Sequence, residues 1–130
     1  MQEKKWLVAI CAGWQQVHSI KTARDLGISV IAFDGDANAP GKDYADLFFA
    51  IDVTEPELIV KKISDLGIEI KCAVSFISDI GMLTAGIVND FFGAGAISER
   101  VALGFTNKKS QREALGLVGL YNPKWVSVMP

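Results

Sequence analysis

Lys108 and Lys109 directly follow Thr106-Asn107, a pair of good helix-capping residues, so both lysines fall in the first turn of a helix predicted over Lys108–Val118. The first turn of a helix presents free backbone N–H groups and the positive end of the dipole, which favour anions and disfavour lysines. Lysines placed there gain from a phosphate partner. Without one they are two solvated surface side chains, and local sequence leaves both readings open.

Other chemistry-bearing residues resolve more sharply. Asp34 stands 21 residues after Gly13, where a dinucleotide-binding fold keeps its ribose-binding acid. The turn between them reads CAGWQQVH, with one glycine where GxGxxG is needed, and Trp14 and Gln16 would crowd a pyrophosphate. Asp34-x-Asp36-x-Asn38 begins like a calcium loop, but Ala39 replaces the turning glycine and Ala45 the bidentate glutamate. Paired acids after the first strand, as a receiver domain requires, are absent at Gly13-Trp14. His18 is the only histidine and sits inside a helix beside Val17, so no nucleophile–base constellation forms around it. Cys11 and Cys72 lie in the short apolar runs WLVAICA and CAVSFI, which reads as two small buried hydrophobes without metal or disulfide spacing.

The elements that must position these residues follow from periodicity. Strands are predicted at Lys5–Ala12, Ile28–Phe33, Leu47–Ile51 and Cys72–Ile77, all short continuous apolar runs. Between them, Trp14–Leu26 places Val17, Ile20, Ala23 and Leu26 on one face before Gly27. Thr54 offers an N-cap for a helix that carries Pro56 and Glu57 in its first turn and ends at Leu66-Gly67. DGDANAPGKDYAD reads as an irregular loop. A helix after Ser78-Asp79 carries the stripe Ile80, Leu83, Ile87 and Phe91; GAGAIS is a loop, and Ser98-Glu99 opens a short helix. Continuous apolar strands alternating with helices imply an α/β, Rossmann-like parallel sheet covered on both faces. Ligands in such sheets sit at the strand C-terminal ends, here Gly13-Trp14-Gln15, Asp34-Gly35-Asp36, Asp52-Val53-Thr54 and Ser78-Asp79.

Composition bounds the rest. The chain has 130 residues, 50% hydrophobic and 22% charged, which excludes disorder, collagen and coiled coil. A length of this order buries roughly two-thirds of the unfolded surface, enough for one core. A net charge of -2 argues against a nucleic-acid partner. Lys4-Lys5 before WLVAICA imitates a signal peptide, but Glu3 and the following glycine and helix fit a first βα unit in a cytoplasmic protein. No apolar run reaches the ~20 residues of a membrane span. After Gly119, YNPKWVSVMP alternates Trp125, Ser127 and Met129 with Val126 and Val128, the pattern of a new strand. It either joins the sheet edge or begins a further domain.

The ordered set Gly13, Asp34, Ala39-Pro40-Gly41, Ala45-Asp46, Ser78-Asp79, Asn107-Lys108, Arg112, Gly119 and Pro123 resembles the N-terminal part of the ATP-grasp ligases. The carbamoyl-phosphate-synthase-like and carboxylate–amine ligase members are the most similar in flavour, and the resemblance covers essentially the whole chain. It implies a pre-ATP-grasp domain over residues 1–120, with 121–130 a linker and the first strand of an ATP-grasp lobe. Full-length members use ATP and magnesium to activate a carboxylate, which an amine or other nucleophile then attacks. By resemblance, Lys108 contacts ATP phosphates. Gly13, Trp14, Gln15, Asp34, Ser78 and Asp79 fall on the side that holds a small carboxylate or amine substrate. No catalytic and no metal-binding residue is expected in this segment, whose partners would be the ATP-grasp lobes of the same or a separate chain. The segment alone is expected to be inactive and without tightly bound cofactor, and its lobe-facing surface predicts self-association into a homo-oligomer. The alternatives are a stand-alone Rossmann-like module for a nucleotide or small ligand, or a split-gene subunit without chemistry of its own.

Overall fold

The structure, a computed structural model, describes Lys4 and residues 6–128. Strands β1 (Trp6–Ile10), β2 (Ser29–Asp34), β3 (Leu47–Ala50) and β4 (Ile70–Val74) form one all-parallel sheet in the order β3-β2-β1-β4. Helices α1 (Trp14–Asp25), α2 (Pro56–Leu66) and α3 (Asp79–Phe92) follow β1, β3 and β4; α4 (Glu99–Thr106) and α5 (Lys108–Leu117) complete the chain. A 3-10 turn at Pro40–Tyr44 lies inside the segment expected to be irregular. This is the expected Rossmann-like α/β architecture.

Successive strand side chains point to opposite faces, and both faces are apolar because helices cover both. Trp6, Val8, Ile10, Ile31 and Phe33 pack on one side with Ile59 and Ile63 of α2 and with Ala85 and Val88 of α3. Leu7, Ala9, Val30 and Ala32 pack on the other with Ile20 and Ala23 of α1 and with Ala39. Among the described residues no helix is long and apolar enough to cross a membrane.

Three helical expectations need correction. On α1 the buried face is Gln16, Ile20 and Ala23, whereas Leu26 is 73% exposed. On α3 the stripe Ile80, Leu83, Ile87 and Phe91 is not the core face; Ile80 and Phe91 are exposed, and Gly81, Thr84, Ala85, Gly86, Val88 and Asn89 are buried instead. Small residues win there because α3 lies too close to its neighbours for anything larger. A Cβ on Gly86 would stand 2.7 Å from the Glu99 backbone nitrogen, and one on Gly81 2.6 Å from the Ser75 hydroxyl oxygen. Thr54 does not cap α2: the cap residue is Glu55, and the Thr54 hydroxyl donates to Asp52 instead (2.7 Å).

The fourth strand runs Ile70–Val74, starting two residues and ending three residues before the expected Cys72–Ile77; it ends early because the Ser75 hydroxyl donates to the Ser78 carbonyl (2.8 Å) and turns the chain toward α3. Residues 125–128 form no strand, having no neighbouring strand to pair with; Lys5 and Met129, at the ends of two expected strands, lie outside the described residues.

Strand β4 is held in place by Asn89, which is 1% exposed. Its side-chain oxygen accepts from the Ala73 N–H (2.7 Å), and its amide nitrogen donates to the Ala73 carbonyl (3.0 Å) and the Ile97 carbonyl (2.9 Å). One side chain thus supplies the edge of β4 with the bonds a fifth strand would give. Truncation leaves buried backbone groups without partners, each costing about 1–3 kcal/mol. Asn89→Ala should therefore lower the unfolding free energy by roughly 3 kcal/mol in urea titration; a loss within experimental error would refute the clamp.

Candidate functional site

The exit of β1 organises the C-terminal end of the sheet. Cys11 adopts φ 76, a left-handed conformation unusual for a residue with a side chain, and its N–H donates to the Phe33 carbonyl (2.9 Å). The next residue is fixed through both of its backbone polar groups. The Ala12 N–H donates to the Asp34 carboxylate (2.7 Å), and the Ala12 carbonyl accepts from the Gly41 N–H (2.7 Å). Asp34 also accepts from the Asp36 N–H (2.9 Å), so one carboxylate joins the ends of β1 and β2. Glycine is required at position 41, since a Cβ there would lie 2.7 Å from the Ala12 carbonyl oxygen.

Asp46 performs the matching task at the other end of β2. It accepts from the Val30 N–H (2.8 Å), returns its own N–H to the Val30 carbonyl (2.9 Å) and pairs with Arg24 (3.3 Å). Asp34, Gly41 and Asp46 therefore shape the backbone around the site.

These bonds create an open cup of about 330 Å³ lined by Cys11, Gly13, Trp14, Gln15, Gln16, Asp34 and Ser78. Five of the six residues expected on the substrate side, Gly13, Trp14, Gln15, Asp34 and Ser78, thus share one cavity. Gly13 caps α1 without a side-chain hydrogen bond, so the N-terminal turn of that helix opens on the cup with no side chain occupying it. Trp14, in that first turn, is 80% exposed.

Asp79 lies apart, in a neighbouring apolar groove of about 390 Å³ with Thr54, Pro56, Thr106 and the outward stripe of α3, Ile80, Leu83 and Ile87. At the third strand end, the Thr54 N–H and hydroxyl both bond Asp52 and hold its carboxyl below the usual carboxylate range.

Lys108 sits in a third pocket of about 260 Å³ with Lys109, Arg112, Trp125, Val126 and Ser127. Asn107 caps α5 as expected, accepting from the Ser110 N–H (3.0 Å). The Asn122 amide donates to the Arg112 carbonyl (2.7 Å) and ties the following segment to the helix. Three cationic side chains thereby share a cavity with Trp125.

Sequence reasoning missed two cup residues. Cys11 reads in the sequence as a small buried hydrophobe, and its place at the last turn out of β1 is the one signal that it borders the site. Gln16, expected to crowd a pyrophosphate at this turn, is 3% exposed, and its side-chain oxygen has no hydrogen-bond partner among the described residues. His18 is exposed on α1, outside the cup.

Burial raises the Cys11 thiol above its ordinary value near 9, hydrogen bonding with Ser78 opposes this, and the Asp34 charge adds to it. The thiol is thus held protonated at neutral pH, and a thiol is a poor nucleophile. In a Cys72→Ser background, iodoacetamide should alkylate Cys11 several-fold more slowly in the folded chain than in the same chain in urea, with the folded rate climbing as pH passes 9. Equal rates at neutral pH would contradict this.

No family model matches the chain, and no curated protein matches it in sequence. Solved structures do match. Phosphoribosylglycinamide synthetase from Anaerococcus prevotii superposes with a TM-score of 0.77 at 25% identity, over 90% of this chain and 30% of that one. L-amino acid ligase from Bacillus licheniformis gives 0.71 at 17% identity, over 95% of this chain and 32% of that one. N5-carboxyaminoimidazole synthetase from Staphylococcus aureus gives 0.69 at 14% identity, over 92% and 31%. The chain spans about a third of the length of each. These neighbours are ATP-grasp ligases, and the chain has the Rossmann-like fold of their N-terminal, pre-ATP-grasp domain.

Proposed function

We propose that this chain is the substrate-side domain of an ATP-dependent ligase of the carboxylate–amine type, similar to the carbamoyl-phosphate-synthase-like members. The observation that carries the reading is the cup, where five sequence-nominated residues from three strand ends meet on a fold shared with ATP-grasp ligases. ATP, when bound by the assembled enzyme with magnesium, supplies the phosphoryl group that activates a carboxylate toward a nucleophile.

The residues of this chain divide that work unevenly. Lys108, Lys109 and Arg112 form a cationic pocket at the start of α5, suited to a polyphosphate by charge and by the helix terminus beneath it. Among the described residues no group of three or more His, Cys, Asp or Glu could hold a metal ion. On this reading the magnesium ligands and the adenine pocket belong to ATP-grasp lobes outside this segment. The cup orients the acceptor substrate, with Trp14 at its rim and Asp34 in its wall. On this reading residues 125–128, which follow the Asn122 contact with α5, would pair as a first strand once those lobes supply a neighbouring strand.

Calorimetry of the 130-residue chain with Mg-ATP should show no tight binding. With the ATP-grasp lobes supplied in the same or a second chain, ADP release should depend on a carboxylate and an amine, and Lys108→Ala should reduce it by roughly tenfold or more, as expected for losing one charge-assisted phosphate contact. Tight Mg-ATP binding by the chain alone would favour a stand-alone nucleotide-binding module and overturn the proposal.

A further inference from the structure

Past its last turn, α5 sends the chain back on itself. Gly119 takes a left-handed backbone (φ 69), its N–H donates to the Gly116 carbonyl (3.2 Å), and the Leu120 N–H donates to the Leu115 carbonyl (3.1 Å). Asn122 then reaches the middle of α5. Its side-chain amide donates to the Arg112 carbonyl (2.7 Å), and its side-chain oxygen faces the Arg112 guanidinium (3.5 Å). Three residues on, Trp125, Val126 and Ser127 share the walls of the cationic pocket with Lys108, Lys109 and Arg112. The segment therefore returns along the helix toward its first turn.

That return path rests on one side chain. Residues 125–128 pair with no strand. Among the described residues, the bonds between Asn122 and Arg112 are the only hydrogen bonds that residues 121–128 make. Burial adds little, because Tyr121, Val126 and Val128 are all largely exposed. Pro123 turns the anchor into a direction. The residue before a proline is confined to extended backbone, and the ring fixes the φ that follows. Pinning Asn122 thus aims the residues after it instead of merely shortening their tether. A carbonyl has two lone pairs, so Arg112 can take this donor without giving up a helical one.

The same contacts sort the three cations of the pocket. Lys109 pairs with Glu113 one turn on (3.9 Å), and the Arg112 guanidinium faces Asn122. Among the described residues, Lys108 alone of the three has neither an ion pair nor a side-chain hydrogen bond. We propose that Asn122 is a positioning residue for this pocket. It latches the returning segment to α5, which supplies the Trp125 wall, and it engages Arg112, which leaves Lys108 as the cation that meets the anion. This rests on the reading of Lys108 as a phosphate contact and assigns the residue that keeps its pocket in shape.

The experiment compares the 130-residue chain with Asn122→Ala by backbone nitrogen relaxation and by titration with inorganic tripolyphosphate. In the parent chain, residues 124–127 should be as ordered as α5. In Asn122→Ala their order parameters should fall below about 0.6, while Lys108–Leu117 keep theirs. A residue that merely stabilised the helix would loosen α5 as well. Tripolyphosphate should shift the Lys108 amide and the Trp125 indole N–H of the parent together. In Asn122→Ala the Trp125 response should vanish, and the affinity read at Lys108 should weaken by roughly threefold to tenfold, the worth of one ordinary hydrogen bond.

Residues 124–127 disordered in the parent, or still ordered in Asn122→Ala, overturn the latch. A loosened Asn122→Ala chain that binds tripolyphosphate as well as the parent overturns the positioning role and leaves the Lys108 reading standing. No Lys108 response in the parent at tens of millimolar strikes the Lys108 reading itself, and this proposal falls with it.

Discussion

Everything at the C-terminal end of this sheet depends on how one residue, Ala12, leaves the central strand. Its N–H is bound by Asp34 and its carbonyl by Gly41, and the residue before it accepts a left-handed backbone to reach that position. A parallel sheet must send each strand into a crossover, and the backbone groups freed at that point need partners once buried. Here the partners come from the end of β2 and from the turn at Pro40–Tyr44. The axis of α1, the mouth of the cup and the direction of Trp14 all follow from that double anchor.

The motif residues that carried the resemblance prove to be largely architectural. Asp34, Gly41, Asp46 and Asn107 each satisfy a backbone group that a crossover or helix end leaves open. Residues with such duties admit few substitutes, because alternatives either strand a buried N–H or collide with a carbonyl. The exposed positions at the rim of the cup carry no comparable duty. Trp14 and Gln15 project from the first turn of α1 and meet only solvent or ligand, so they are free to differ wherever the ligand differs. The fold is therefore written more plainly than the specificity.

This asymmetry explains what was readable in advance. The four strands, their parallel arrangement, the cap at Asn107 and the gathering of Gly13, Trp14, Gln15, Asp34 and Ser78 were all accessible from apolar runs and turn chemistry. The inner face of α3 was not. Periodicity weights large apolar side chains, and it selected Ile80, Leu83, Ile87 and Phe91, while close approach of α3 to Ser75 and to the start of α4 demanded glycine and alanine. Gln16 was hidden for a related reason: polarity marks a residue as surface, and only the closed geometry of the β1 exit encloses it. Asp79 fell in the apolar groove instead of the cup because it stands beyond the Ser78 cap, one residue around the turn.

The Asn89 clamp has a bearing on how the chain is made. β1 is central, yet its partner β4 begins sixty residues after β1 ends, and the outer edge of β4 is secured by a side chain farther on in α3. Pairings of such long range form late and slowly. On a ribosome, the first half of the domain must therefore wait, with one side of its most apolar strand uncovered, until α3 has emerged. The nascent segment up to Val74 is the vulnerable species, and the arrival of Asn89 is the event that closes it.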